Sequence, residues 1–179
     1  LSKIEQRRLD PSRYGKIWEK DNFIVFENKN VFPRVYLADR FVLRTAGEES
    51  TRAIYDQNID LQNTVISSQN MTIKENKSQG SARILSYSQN KVAVETNSEG
   101  PKILVLSDAY FPGWKAKING VETKIYRVNH ALRGIIISPG RNTILFYYFP
   151  PSFYAGILIS SVSLAIAGFV YFRSRKNVN

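Results

Sequence analysis

Residues Phe153 to Phe172, FYAGILISSVSLAIAGFVYF, run for 20 positions without a charge. At ~1.5 Å rise per residue a helix of that length covers ~30 Å, the thickness of a bilayer hydrocarbon core. Tyr147, Tyr148, Phe149, Phe153 and Tyr154 gather at one end, and Tyr171 and Phe172 close the other. Such aromatic belts are expected where a span meets its two interfaces. Arg173, Ser174, Arg175 and Lys176 follow at once. Basic flanks stay cytoplasmic. The reading is therefore a transmembrane helix over 151–172 in a cell membrane, a basic cytoplasmic tail over 173–179, and residues 1–150 outside the cytoplasm. A helix buried in a soluble core is the competing reading, and the unbroken run with its abrupt basic flank speaks against it. A cell-wall-anchored protein ends similarly but needs a Leu-Pro-x-Thr-Gly sorting signal, whereas the residues here are YYFPPSFYAG. Pro150-Pro151 reads as a stiff joint into the helix. Gly156, Ser160, Ser163 and Ala167 share one helix face, which suits close approach by another membrane helix.

The outer region reads as mainly β. Short apolar runs alternate with turn residues: ARILSYS, then Gln89-Asn90, KVAVETN, then Ser98 to Pro101, KILVLSD, GWKAKI, Asn119-Gly120, VETKIYRV, LRGIIIS, Pro139-Gly140 and NTILFYYF. The period-2 pattern in KVAVET and VETKIY implies strands with one buried and one wet face. Asn-Gly between two such runs signals a two-residue hairpin turn, because both central residues must take positive φ. No helix interrupts these strands, so the expected fold is an antiparallel β-sandwich of jelly-roll or immunoglobulin-like type over 21–150. Further upstream, NFIVFEN, RVYLA and NTVIS read as strands, and EESTRAIYDQ as one short helix. MTIKENKSQG, residues 71–80, reads as a mobile polar loop, and residues 1–20 as an irregular segment.

Several function classes fall away on composition. The chain has no Cys, which excludes a disulfide framework, Cys-ligated zinc and a thiol nucleophile. Its first residue is Leu1, with no charged-then-apolar leader, so it reads as a fragment or a processed chain. Net charge is +10, and residues 1–150 carry 22 basic against 15 acidic side chains. The basic residues are spread along the chain without an Arg-rich helix or zinc-finger spacing, so nucleic acid is not expected as a partner.

The stretch Ser107–Ser160 carries a more specific signal. SDAYFPGWKAKINGVETKIYRVNHALRGIIISPGRNTILFYYFPPSFYAGILIS resembles the C-terminal signature of the YfhO-like bacterial membrane proteins. The matching positions are Tyr110, Pro112, Gly113, Trp114, Lys115, Asn119, Gly120, Asn129, Arg133, Gly134, Pro139, Gly140, Tyr148 and Pro150. Upstream, FENKNVFPRVYLA matches the same proteins at Asn28, Pro33 and Arg34. Val35 stands where a small residue is usual, and Asn119 where Asp is common. The resemblance implies a polytopic protein related to the GT-C glycosyltransferases, which use a polyprenyl-phosphate sugar donor at the outer membrane face, here on cell-envelope polymers such as lipoteichoic acid. It also implies that the catalytic acid lies in an early loop among many membrane helices. No catalytic residue, metal or cofactor is then expected in this chain, and its partners are the membrane, the preceding helices of the parent protein, and a cell-envelope glycan or anionic polymer.

Tyr110, Trp114, Lys115, Asn129, His130 and Arg133 are the candidate ligand-binding residues. Aromatic faces stack on sugar rings, and Lys115 or Arg133 reaches hydroxyls or phosphate. The rival reading is scaffold: Pro112-Gly113 makes a turn, Trp114 anchors the sandwich core, and Asn119-Gly120 and Pro139-Gly140 set hairpins. Buried aromatic area is what a small sandwich most needs, so scaffold is the first reading of this stretch. His130 is the only His, and a hydrogen-bonded turn is its expected role rather than metal ligation. Two functions stay open: an accessory, non-catalytic extracytoplasmic domain of a membrane glycosyltransferase relative, or a freestanding single-pass module that binds a glycan or another protein.

Overall fold

The computed structural model of the protein describes residues 10–176, with the side chains of residues 170, 172 and 174–176 outside that description. The expectations for residues 1–9 and 177–179 lie outside the described residues. The chain divides into two compact units, one ending at Arg34 and one starting at Val35.

In the first unit, β1 (Tyr14–Lys20) pairs antiparallel with β2 (Phe23–Asn28). An irregular 1–20 segment is thus corrected over Tyr14–Lys20. YGKIWEK lacks a clean alternation because the register shifts between Lys16 and Trp18. A bulge there throws the strand out of phase and hides its period.

The second unit is a two-sheet sandwich. One sheet runs β10 (Val121–Thr123), β9 (Trp114–Ile118), β13 (Gly140–Tyr148), β7 (Lys91–Ser98), β6 (Gly80–Tyr87), antiparallel throughout. The other runs β3 (Val35–Ala38), β8 (Lys102–Ala109), β12 (Leu132–Ile137), β11 (Tyr126–Val128), β5 (Thr64–Ser67), β4 (Arg40–Leu43). The expected sandwich is present, with one change. β4 and β5 are parallel, and the short helix α1 (Glu48–Ile54) lies on the connection between them. Parallel neighbours need such a crossover, whereas antiparallel ones can turn tightly.

VETKIYRV, expected as one strand, is split at Lys124-Ile125, and its halves β10 and β11 belong to different sheets. Pro139-Gly140 likewise does not set a hairpin. It carries the chain from β12 in one sheet to β13 in the other. In both cases the pairing partners decide that the chain changes sheets.

The main core lies between the sheets. Val92, Val94, Ala116, Ile144 and Phe146 of one sheet meet Leu104, Leu106, Ile135 and Ile137 of the other. Each fully buried large side chain contributes about 1.5–3 kcal/mol of transfer free energy. A second cluster occupies the far face of the six-stranded sheet, where Ile103, Val105, Val65 and Val128 pack with Met71. Residues 71–79 have no regular structure, but Met71 is buried and Ile73 packs on that cluster, so the polar loop covers a sheet face. KILVL in β8 is buried on both faces, which is why it reads as a continuous apolar run rather than an alternation.

Helix α2 (Pro151–Lys176) follows β13. Pro151 opens it, at the position where a missing N–H costs nothing. Its Pro151–Phe169 stretch is long and apolar enough to cross a membrane, with mean hydropathy 1.7, and none of it is buried against the protein.

Candidate functional site: a cleft at the root of the apolar helix

The turn after β8 is built by local chemistry. Pro112 presets φ and Gly113 adopts φ 100, and the Trp114 N–H donates to the Phe111 carbonyl at 3.3 Å. Pro then Gly at the two central positions is the type II arrangement, which needs positive φ at the second. The turn is also tight against its surroundings. A Cβ on Gly113 would lie 2.9 Å from Tyr148 Cε2 and 3.3 Å from the Pro150 Cα. The Phe149 N–H donates to the Gly113 carbonyl at 2.7 Å. The corner before β9 is thereby tied to the point where β13 leaves for α2.

Beside this corner opens a cleft of about 460 Å³, walled by Tyr87, Asn90, Asp108, Phe111, Trp114, Arg133 and Tyr148 among others. Arg133 comes from β12 and is 4% exposed. Its guanidinium carbon lies 3.8 Å from the Trp114 ring centroid, its Nη2 is 3.3 Å from Asp108 Oδ2, and its Nε donates to the Ala109 carbonyl at 3.2 Å. Its Nη1 is buried and has no hydrogen-bond partner. Tyr87 donates its hydroxyl to both Asp108 oxygens, at 3.1 and 3.0 Å. Trp114 and Tyr148 sit 5.5 Å apart, ring to ring, tilted by 48°. Burial pulls the Arg133 pKa down from its ordinary value, and the Asp108 charge opposes that shift. Each member of such a pair supplies part of the stabilisation that water would have given the other's charge.

Asp108 reaches Arg133 through an irregularity. Leu132 pairs with Ala109, but Arg133 pairs with Leu106, so β8 carries extra residues at this point. A bulge of this kind re-aims a side chain next to a functional surface.

Of the six candidate residues, Trp114 and Arg133 come together in the cleft. Tyr110 sits on the corner, and its N–H donates to the Ala131 carbonyl at 2.6 Å. Lys115 takes the other face of β9, 5.5 Å from the Phe149 ring centroid and 4.0 Å from Glu122 Oε1. Lys117 shares that face, over Tyr147. Asn129 and His130 lie in the β11–β12 turn, with φ 46 and 69. The Asn129 side chain accepts from the Ile66 N–H at 2.8 Å and donates to the Tyr36 hydroxyl at 2.9 Å. It stitches β11 to β5 and β3. Burial pushes the Tyr36 pKa up to about 12. His130 Nδ1 is 3.2 Å from Thr51 Oγ1 on α1, a turn residue held by a hydrogen bond. Among the described residues no three His, Asp or Glu side chains are grouped as metal ligands.

Asn119-Gly120 forms the β9–β10 hairpin turn, with φ 50 and 88 at its two central residues. Both values are positive, as the two-residue turn requires. Tyr87 and Asp108 line the cleft without being among the candidate ligand-binding residues, and Asn90 was read only as a turn residue. For Asp108 a signal existed: it is the one acid in the apolar strand KILVLSDA.

Residues 53–160, which include every cleft residue, match the family described as "Bacterial membrane protein YfhO". The chain belongs to the YfhO family. The "Uncharacterized protein YfhO" of Bacillus subtilis (strain 168) is 34% identical over 125 residues, which is 69% of this chain and 13% of that protein. This YfhO-family chain therefore spans a small part of that relative's length. No solved structure matches it. Family membership and the unburied apolar helix α2 together make it a membrane protein.

Proposed function

We propose that this chain is the C-terminal accessory domain of a longer membrane protein that glycosylates cell-envelope polymers, with the sandwich on the outer face and the residues after α2 in the cytoplasm. Transfer chemistry, with its polyprenyl-phosphate sugar donor, belongs to the preceding membrane part. The observation that carries this reading is the cleft at the root of α2. Tyr148, which walls it, lies three residues before Pro151, where α2 begins. A site there works at the membrane surface.

The acids near the signature are committed to structure, which supports a non-catalytic role. Asp108 faces Arg133 and Tyr87. Glu95 is clasped by Arg83 and Arg141. Glu122 accepts from the Tyr147 hydroxyl at 2.8 Å. A general base needs a carboxylate placed to take an acceptor proton. The freestanding single-pass alternative is the weaker reading, because the matched region is only 13% of the Bacillus subtilis relative.

The test uses the full-length parent protein. Cells carrying it with Phe111→Ala and Asn90→Ala are compared with wild type for the sugar content of their lipoteichoic acid. Reduced decoration with unchanged protein level is the expected result. Unchanged polymers in a strain lacking the parent protein altogether would remove the reading.

A further inference from the structure

We infer that the cleft binds a neutral glycosyl unit rather than a sugar phosphate or a carrier phosphate. This rests on the reading above and narrows it to a ligand class. The cleft's cation is already matched. Arg133 is 4% exposed and faces the Asp108 carboxylate at 3.3 Å. A phosphate entering the cleft would approach that carboxylate, and among the described residues no second cation lines the wall to offset the repulsion. Lys115, the nearest alternative from sequence, points to the opposite face of β9.

What the wall offers suits a hydroxylated ring. The Asn90 and Gln89 amides and the Ser88 hydroxyl of the β6–β7 turn add neutral donors and acceptors. Phe111 is 60% exposed on the cleft rim. An apolar ring held out in water on the cleft rim is a platform for the C–H face of a sugar. Trp114 is less available for that task, because the Arg133 guanidinium covers one of its faces. The unit can arrive on a glycolipid headgroup or on a soluble glycan end, since both present the same hydroxylated ring.

The experiment uses the whole chain, helix included, in nanodiscs, with Trp18→Phe so that Trp114 is the only indole reporter. Methyl glucoside and methyl N-acetylglucosaminide are titrated against glucose 1-phosphate, following Trp114 emission. Parallel nanodiscs hold either diglucosyl-diacylglycerol or phosphatidylglycerol alone. At least one neutral sugar, or the diglucosyl lipid, is expected to bind. Phe111→Ala weakens that binding about ten-fold, the scale of one aromatic contact, with an unchanged melting temperature. A saturating response in the soluble arm identifies a glycan end, and one confined to the diglucosyl nanodisc identifies a lipid headgroup. Tighter binding of glucose 1-phosphate than of the methyl glycosides overturns the inference. So does binding of no sugar in any arm, or a Phe111→Ala chain that binds as wild type does. If the cleft binds no neutral sugar while deletion of the parent still strips sugar from lipoteichoic acid, only this inference falls and the functional reading stands.

Discussion

The guanidinium of Arg133 is held between the Trp114 ring, 3.8 Å away, and the Asp108 carboxylate, 3.3 Å away. One residue thus joins β12 of one sheet to β9 of the other and to the bulged end of β8. Its charge is affordable at 4% exposure only while Asp108 is ionised beside it. Removing Asp108 strands a buried cation, so Asp108→Ala should cost about 3 kcal/mol. Replacing both members, as Asp108→Leu with Arg133→Met, should recover most of that loss, because no charge is left unpaired. Thermal unfolding in detergent, run as a double-mutant cycle, checks this. A double-variant loss equal to the sum of the two single-variant losses would mean that the pair is not coupled.

Two glycines with positive φ should respond differently to Ala. Gly113 (φ 100) and Gly120 (φ 88) both lie in the left-handed region, where a side chain costs about 1 kcal/mol. Only at Gly113 would the added Cβ meet an atom, Tyr148 Cε2 at 2.9 Å. Gly113→Ala is expected to destabilise by about 1–3 kcal/mol more than Gly120→Ala, since a well-packed contact must shift. It should also change Trp114 fluorescence. Urea unfolding with that signal reads both effects.

Asn129→Gly keeps a backbone that tolerates φ 46 but removes the side chain that accepts from the Ile66 N–H and donates to the Tyr36 hydroxyl. Two part-buried groups lose a partner, so a loss of about 2–4 kcal/mol is expected. Tyr36, whose pKa burial raises to about 12, loses the Asn129 hydrogen bond that favours its ionised form. In a Tyr36-only spectroscopic background its titration should move no lower. A downward shift would show that Asn129 does not stabilise the phenolate.

Stability should fall on acidification partly through Glu95. Hydrogen bonds from Arg141 first, and then Arg83, hold its carboxyl below the ordinary value of 4.5. A group whose native value is depressed adds stability above its unfolded value, and that gain is lost as pH falls through the native one. The urea midpoint should therefore drop below pH 4.5, and Glu95→Gln should flatten the slope in that range. A slope unchanged by the substitution would assign the acid sensitivity to other carboxylates.

Sidedness can be read with single cysteines, since the chain contains none. Ser81→Cys, on an exposed position of β6, should react with a membrane-impermeant maleimide on intact cells. Asn179→Cys should react only after permeabilisation. The reverse pattern would invert the proposed topology.

Legibility followed the range of the physics involved. Asn119-Gly120, Pro112-Gly113 and the apolar run of α2 announce themselves because φ preference and hydrophobic length are properties of a few consecutive residues. Strands β6, β7, β8, β9, β12 and β13 carried their own period or apolar run. β1 did not, because its bulge breaks the period. β4 was not read from sequence either.

Tertiary structure alone decided which strands share a sheet. VETKIYRV and the Pro139-Gly140 link both change sheets, and nothing local separates a hairpin from a crossing. It also decided the site. Trp114 and Arg133 were legible as candidates one by one, but Asn129 and His130 were drawn off to hold β5, β3 and α1. Asp108, Tyr87 and Asn90 were brought in from other strands and turns. The sequence by itself determined a membrane-length helix, a strand-built head and its turns, since these depend on neighbours along the chain. The cleft depends on long-range pairing register and on one bulge, which exist only once the two sheets have packed.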